Sequence, residues 1–171
     1  MLININKKDR IALMDKKLLI ILFLICVFNL TAQENTPQEF QKKTAFTYGV
    51  DVNMNSPTGL AYGAILGIEF YLPERSSFGI QLTASSDGAS NNVIEPLLAF
   101  RYYFTDLHNL YLQLDTGASF ITEIGETRFN LLIGLKAGYK FNVGKIFFIE
   151  PFIRGGFPFI AGGGLVLGYK Y

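Results

Sequence analysis

Tryptophan is absent from the 171 residues, and cysteine and histidine occur once each. A lone Cys26 can make no disulfide within the chain and no Cys-based metal site. Charge of one sign is also lacking: 15 Lys and Arg against 14 Asp and Glu leave a formal +1. That balance gives no reason to expect nucleic acid or an acidic partner through bulk attraction. There is no phosphate loop, no dinucleotide fingerprint and no metal-spaced set of His and Cys. Beyond Phe28 no apolar run approaches the ~20 residues that a membrane-spanning helix needs. Yet half of the residues are apolar and aromatics reach 15%, so the apolar content must be carried by strands.

The stretch 129–141 shows how. Phe129, Leu131, Ile133, Leu135, Ala137, Tyr139 and Phe141 occupy every odd position, while the even ones are small, amide or cationic apart from Leu132. A period of two makes one face of an extended strand apolar; a helix would scatter both sets. Aromatics at both ends with aliphatics between match a strand that crosses a bilayer, for which about 9–11 tilted residues suffice. The same alternation recurs at 46–54, 60–71, 78–85, 94–104, 110–120, 146–155 and 163–171. Turn-forming residues separate these runs at 55–59, 73–77, 86–92, 105–109, 121–127, 142–144 and 155–161. The expectation is an all-β fold: an eight-stranded antiparallel up-and-down transmembrane β-barrel with both ends on one side of the membrane. The connections after the first, third, fifth and seventh strands should then face outside, slightly longer than the others.

The amino-terminal region divides differently. Lys16-Lys17, the apolar run 18–28 and the polar exit 29–33 with Ala32 form a secretory signal, with cleavage expected after Ala32. Met14 directly before the basic flank makes 1–13 an upstream extension. Lipid attachment at Cys26 is the alternative, opposed by the bulky Ile25 before it. The expected organisation is therefore extension and cleaved signal peptide over 1–32, a polar flexible lead-in over 33–43, and a barrel over 44–171.

Over 44–171 the chain resembles the small eight-stranded outer-membrane barrels, the group that includes outer membrane protein A-like domains. Tyr169 and Tyr171 resemble that group's alternating aromatic ending. The glycine often found five residues before the last residue is replaced by Val166, with Gly164 and Gly168 beside it. The resemblance implies an outer-membrane location, contact with outer-membrane lipid, and recognition of the last strand by the outer-membrane insertion machinery.

On the polar face the expected inward charges are Asp51, Glu69, Glu95, Asp115 and Glu150 against Arg101, Arg128, Lys136, Lys140, Arg154 and Lys170. Near-balance of acids and bases favours structural ion pairs in a packed lumen over one-sign rings that select ions. Eight strands enclose a space that side chains just fill. A three-residue hairpin at Asn142-Val143-Gly144, with Gly in the left-handed position, would set Lys136 directly opposite Glu150. Ile-Glu-Pro occurs at both 94–96 and 149–151, each followed on the glutamate's face by an arginine, Arg101 and Arg154. Each proline forfeits a ladder hydrogen bond, so a bulge or local distortion is expected near Pro96 and Pro151.

No residue is assigned to catalysis, to a cofactor or to a metal. His108 sits beside Asp106 in an expected turn with no evident serine partner, and a solvated turn histidine is the simpler reading. The function expected is that of a non-enzymatic integral outer-membrane barrel in envelope integrity or surface interaction, with its ligand or protein partner open. A narrow channel for small solutes is one alternative. A soluble lipocalin-like carrier, with the apolar face inward, is the other.

Overall fold

In the computed structural model, the described residues are 44–171 apart from 56–58, 73–74, 90 and 124. The expected signal peptide, the lead-in and Cys26 lie outside them. The strands are β1 (Thr44–Asn55), β2 (Gly59–Tyr71), β3 (Ser76–Ser86), β4 (Asn91–Tyr103), β5 (Leu110–Glu123), β6 (Glu126–Tyr139), β7 (Phe141–Val143), β8 (Phe147–Phe157) and β9 (Phe159–Lys170). Consecutive strands pair antiparallel except β6 and β7, which both pair with β8, and β1 also pairs with β9. The sheet therefore closes on itself and leaves no edge unpaired.

β6 and β7 are one physical strand. Gly138 faces Phe152 on β8, and Phe141 faces Ile149, so the offset is the same on both sides of the break at Lys140. The break lies across from Pro151, which has no N–H to give to the ladder. With β6 and β7 counted together, the described residues form an eight-stranded barrel. Pro96 acts in the same way: the β4–β5 ladder lapses at Glu95 and Pro96, yet its register is unchanged between Ile94↔Phe120 and Leu97↔Gly117. Both prolines thus produce a local distortion but no bulge. The register shift lies instead at Met54 and Asn55, where β1 meets β9.

Strands of 11–14 residues, the short β7 aside, meet or exceed the crossing length. Alternation decides which way each side chain points. On β3 the pattern of buried and exposed residues switches at every step. The apolar set faces out all round the wall: Leu131 is 73% exposed, Ile153 70% and Val50 62%. Aromatic neighbours on that outer face pack across strands, as Phe120 and Phe129 do with tilted rings and centroids 5.6 Å apart. The apolar face is therefore outward, opposite to what a soluble carrier of lipocalin type requires.

The strands run further than the sequence pattern suggests. At the end of the barrel away from the termini, the connections span only 56–58, 87–90, 124–125 and 158. The expected loop at 121–127 closes to two residues because Thr122 and Glu123 pair with Thr127 and Glu126, and Gly125 at φ +85° supplies the left-handed turn position. The expected loop at 155–161 is mostly strand. At the termini end the connections are 72–75, 104–109 and 144–146. The far connections are thus no longer than the near ones, contrary to expectation.

Candidate functional site

The inner face of the wall carries the chemistry. At the termini end, Glu69, Arg101, Lys140 and Glu150 form one network. Arg101 donates from Nη1 and Nη2 to Glu150, each at 3.0 Å, and lies 3.3 Å from Glu69. Lys140 Nζ donates to Glu69 at 3.0 Å and to the hydroxyls of Tyr71 and Tyr103 at 2.8 and 2.7 Å. Glu69 Oε1 accepts from Ser77 and Tyr103, and Glu150 Oε1 accepts from Tyr111 as well as from Arg101. Arg101 also donates to Gln113, which in turn donates to Asp115 at 2.6 Å. Its guanidinium lies 3.9 Å from the centre of the Tyr111 ring, a favourable cation–π arrangement in a desolvated site.

At the far end, Arg154 lies between two acids, with Nη2 at 2.7 Å from Asp51 and Nη1 at 3.2 Å from Glu95. Asn53 donates to Asp51 at 3.1 Å. Phe159, fully buried, covers the guanidinium at 4.2 Å and packs with Leu97 and Leu132. Between the two networks, Lys136 donates to Gln81 at 2.9 Å, and Gln81 donates to Thr83.

The two Ile-Glu-Pro strands exchange partners across the barrel. Glu95 on β4 holds Arg154 of β8, while Glu150 on β8 holds Arg101 of β4. Neither glutamate pairs with the arginine of its own strand. The strands run in opposite directions, so the two pairs lie at opposite ends of the lumen.

Most of the expected inward charges are buried together: Asp51, Glu69, Glu95, Asp115, Glu150, Lys136, Lys140 and Arg154 are each under 10% exposed, and Arg101 is part-buried with a 9% exposed side chain. Two are placed otherwise. Arg128 is at the far rim with its side chain 64% exposed, 4.0 Å from Glu123, because the β5–β6 hairpin projects past the lumen there. Lys170 is at the termini mouth and donates to Asn142 at 2.7 Å. The expected Lys136–Glu150 register is also corrected. Lys136 faces Arg154, four residues away, because Asn142 and Val143 join the ladder and move the turn two residues along. Gly144 does take the left-handed conformation, at φ +69°.

Sequence reasoning missed the tyrosines. Tyr71, Tyr103 and Tyr111 are large residues with hydroxyls on an inner face where most positions are small, polar or aliphatic, and that bulk was the available signal. Room for such bulk comes from glycines on the neighbouring strand: a Cβ at Gly138, the ladder partner of Tyr111, would collide with the Tyr111 ring. His108 is likewise not a solvated turn residue. It is buried at φ 53°, its Nδ1 lies 2.9 Å from the Asp106 carbonyl, and its ring centre lies 4.7 Å from that of Tyr103. Asp106 itself turns outward to Arg75, and accepting that hydrogen bond raises the Arg75 guanidinium above its ordinary value.

Among the described residues no group of His, Cys, Asp and Glu is placed to hold a metal ion. A cavity of about 20 Å³ between Glu69, Ser77, Gln81, Arg101 and Gln113 has room for about one water molecule. Side chains therefore fill this part of the lumen, as the size of an eight-stranded barrel dictates.

Comparison with known proteins agrees at the level of fold. No protein-family description matches the sequence, and no curated protein matches it. Solved structures do. The N-terminal β-barrel domain of Pseudomonas aeruginosa OprF is 14% identical, with 76% of this chain and 98% of that one aligned at a TM-score of 0.53. The Yersinia pestis outer membrane protein Ail in a phospholipid bilayer nanodisc is 12% identical, covering 77% of this chain and 100% of that one at 0.53. A de novo designed transmembrane β-barrel is 14% identical, covering 78% and 100% at 0.51. The chain thus has the fold of small transmembrane β-barrels, natural and designed.

Proposed function

We propose that this chain is a non-enzymatic integral outer-membrane protein acting in envelope integrity or surface interaction. The observation that carries the reading is the inversion of the wall: an unbroken apolar exterior around an interior of buried, mutually bonded charges. In water that arrangement would expose a large apolar surface and hide the ions; in a bilayer both faces are satisfied. Very short connections at the far end leave little loop surface for adhesion or catalysis, which favours the envelope role of the two. Paired charges across the lumen support a structural plug rather than a one-sign filter for small solutes.

The signal peptide within 1–32 would direct export, and the last strand, followed by Tyr171, would be read by the insertion machinery. Fractionation of cells expressing the chain tests this. Retention in the outer membrane through an alkaline wash, with gel mobility that shifts on boiling, is the expected outcome. Recovery as a soluble periplasmic protein would overturn it.

A further inference from the structure

The charges of the lumen do not balance locally. Toward the termini, Glu69 and Glu150 meet Arg101 and Lys140, with Lys170 at the mouth. Toward the far end, Asp51 on β1 and Glu95 on β4 meet only Arg154 on β8, while Asp115 on β5 and Lys136 on β6 lie between the two networks. The strands β2, β3 and β9 contribute no ionisable side chain there; they present Gly63, Thr83, Ser85, Gly162 and Gly164. Lys170 cannot offset the deficit. It faces Ala45, six residues along β1 from Asp51, roughly 20 Å at the rise of a strand.

The excess sits on one guanidinium. Arg154 serves both Asp51 and Glu95, so the three groups together carry one uncompensated negative charge, and each is at most 4% exposed. An unbalanced charge out of water is very costly, and a group in that position takes up its counter-charge or is neutralised. Open acceptors lie beside the excess. Asp51 Oδ1, Glu95 Oε1, Asn53 Oδ1, Ser85 Oγ and Ser119 Oγ are all buried with no hydrogen-bond partner, as is Arg154 Nε. Several of these atoms converge on the triad. Asp51 Oδ1 and the Ser85 Cβ both approach the point where Gly63 would carry a side chain, and Ser119 takes the place across from Glu95 in the gap of the β4–β5 ladder. An acid O–H would add one donor to those of Arg154, Ser85 and Ser119, and it would remove the excess charge, which they cannot. A metal ion is the poorer fit, since no described group is arranged to hold one.

We propose that the Asp51–Arg154–Glu95 triad binds one proton at neutral pH, carried between its two carboxylates. The proton comes from solvent during folding, one carboxylate oxygen gains an O–H bond, and the triad becomes neutral. The assignment goes beyond the membrane reading and depends only on the barrel being closed.

Infrared spectroscopy of the full mature chain, folded in phospholipid vesicles, tests it, with the boiling-dependent gel shift reporting barrel formation separately. The expected result is a protonated-carboxyl band at pH 7 that moves in deuterium oxide. Asp51→Asn or Glu95→Gln should each remove the whole band, because the acid that remains is then balanced by Arg154. Glu69→Gln, in the balanced network, should leave it. If one variant fails to fold, the other makes the same test. Absence of the band in the folded wild type, or its survival in folded D51N and E95Q, would overturn the proposal. So would an unfolding midpoint that rises with sodium over choline at equal ionic strength with no band present, which would make the bound species a small cation.

Discussion

Glu150, near the termini, accepts two hydrogen bonds from Arg101 and one from Tyr111. Glu95, near the far end, shares Arg154 with Asp51 and leaves Oε1 without a partner. Both are fully buried and both follow an isoleucine and precede a proline, so local sequence cannot account for the difference. The surroundings do. The termini half is built from long donors, three tyrosines, a glutamine and a lysine, whereas the far half is built from small residues and an apolar cover of Leu97, Leu132 and Phe159. A buried charge in a well-furnished polar network is held as a charge; the same group under an apolar cover with few donors is held only if neutralised.

The comparison breaks most severely at Arg101. Arg101→Met strands Glu69 and Glu150 in a network that depends on its guanidinium, and should destabilise the folded barrel by about 3–5 kcal/mol, read from urea titrations followed by circular dichroism. Next in size, Glu150→Gln should lower stability by about 1.5–3 kcal/mol, the range for hydrogen bonds to charged groups. Glu95→Gln should cost clearly less, because the amide replaces a group that is neutral part of the time. Equal losses for the two would erase the distinction between the halves. A smaller effect follows from volume alone: Gly168→Ala pushes a methyl into the Phe148 ring and should cost about 1–3 kcal/mol by overpacking. Arg75→Ala, at an exposed turn pair outside both networks, should leave the unfolding midpoint unchanged.

Much of the fold was legible from period alone. Stretch 129–141 reads as a strand because its apolar residues recur every second position, and parity also assigns Asp51, Glu69, Glu95 and Glu150 to one face. What parity cannot supply is distance along the strand. The turn at 144–146 lies two residues later than composition suggests, since Asn142 and Val143 find ladder partners in Phe148 and Phe147, and a shift of two moves the facing residue by four. Cross-barrel pairing is less legible still. Nothing in sequence spacing links Glu95 to Arg154, 59 residues on; closure of the barrel brings them together. Arg128 has the right parity but the wrong height, which only the length of the β5–β6 hairpin determines.

The central claim is that the apolar face looks outward into lipid and the charged face inward. The natural absence of tryptophan makes it directly testable, because adjacent single substitutions on β8 place one fluorophore on each face. Phe152→Trp should lie in the lumen, where Phe152 is 5% exposed, and Ile153→Trp on the wall, where Ile153 is 70% exposed. In vesicles containing brominated phospholipid, strong quenching of the Ile153→Trp emission with little quenching of Phe152→Trp is the predicted result. The reverse order, or no quenching of either in a folded, heat-modifiable barrel, would contradict the account.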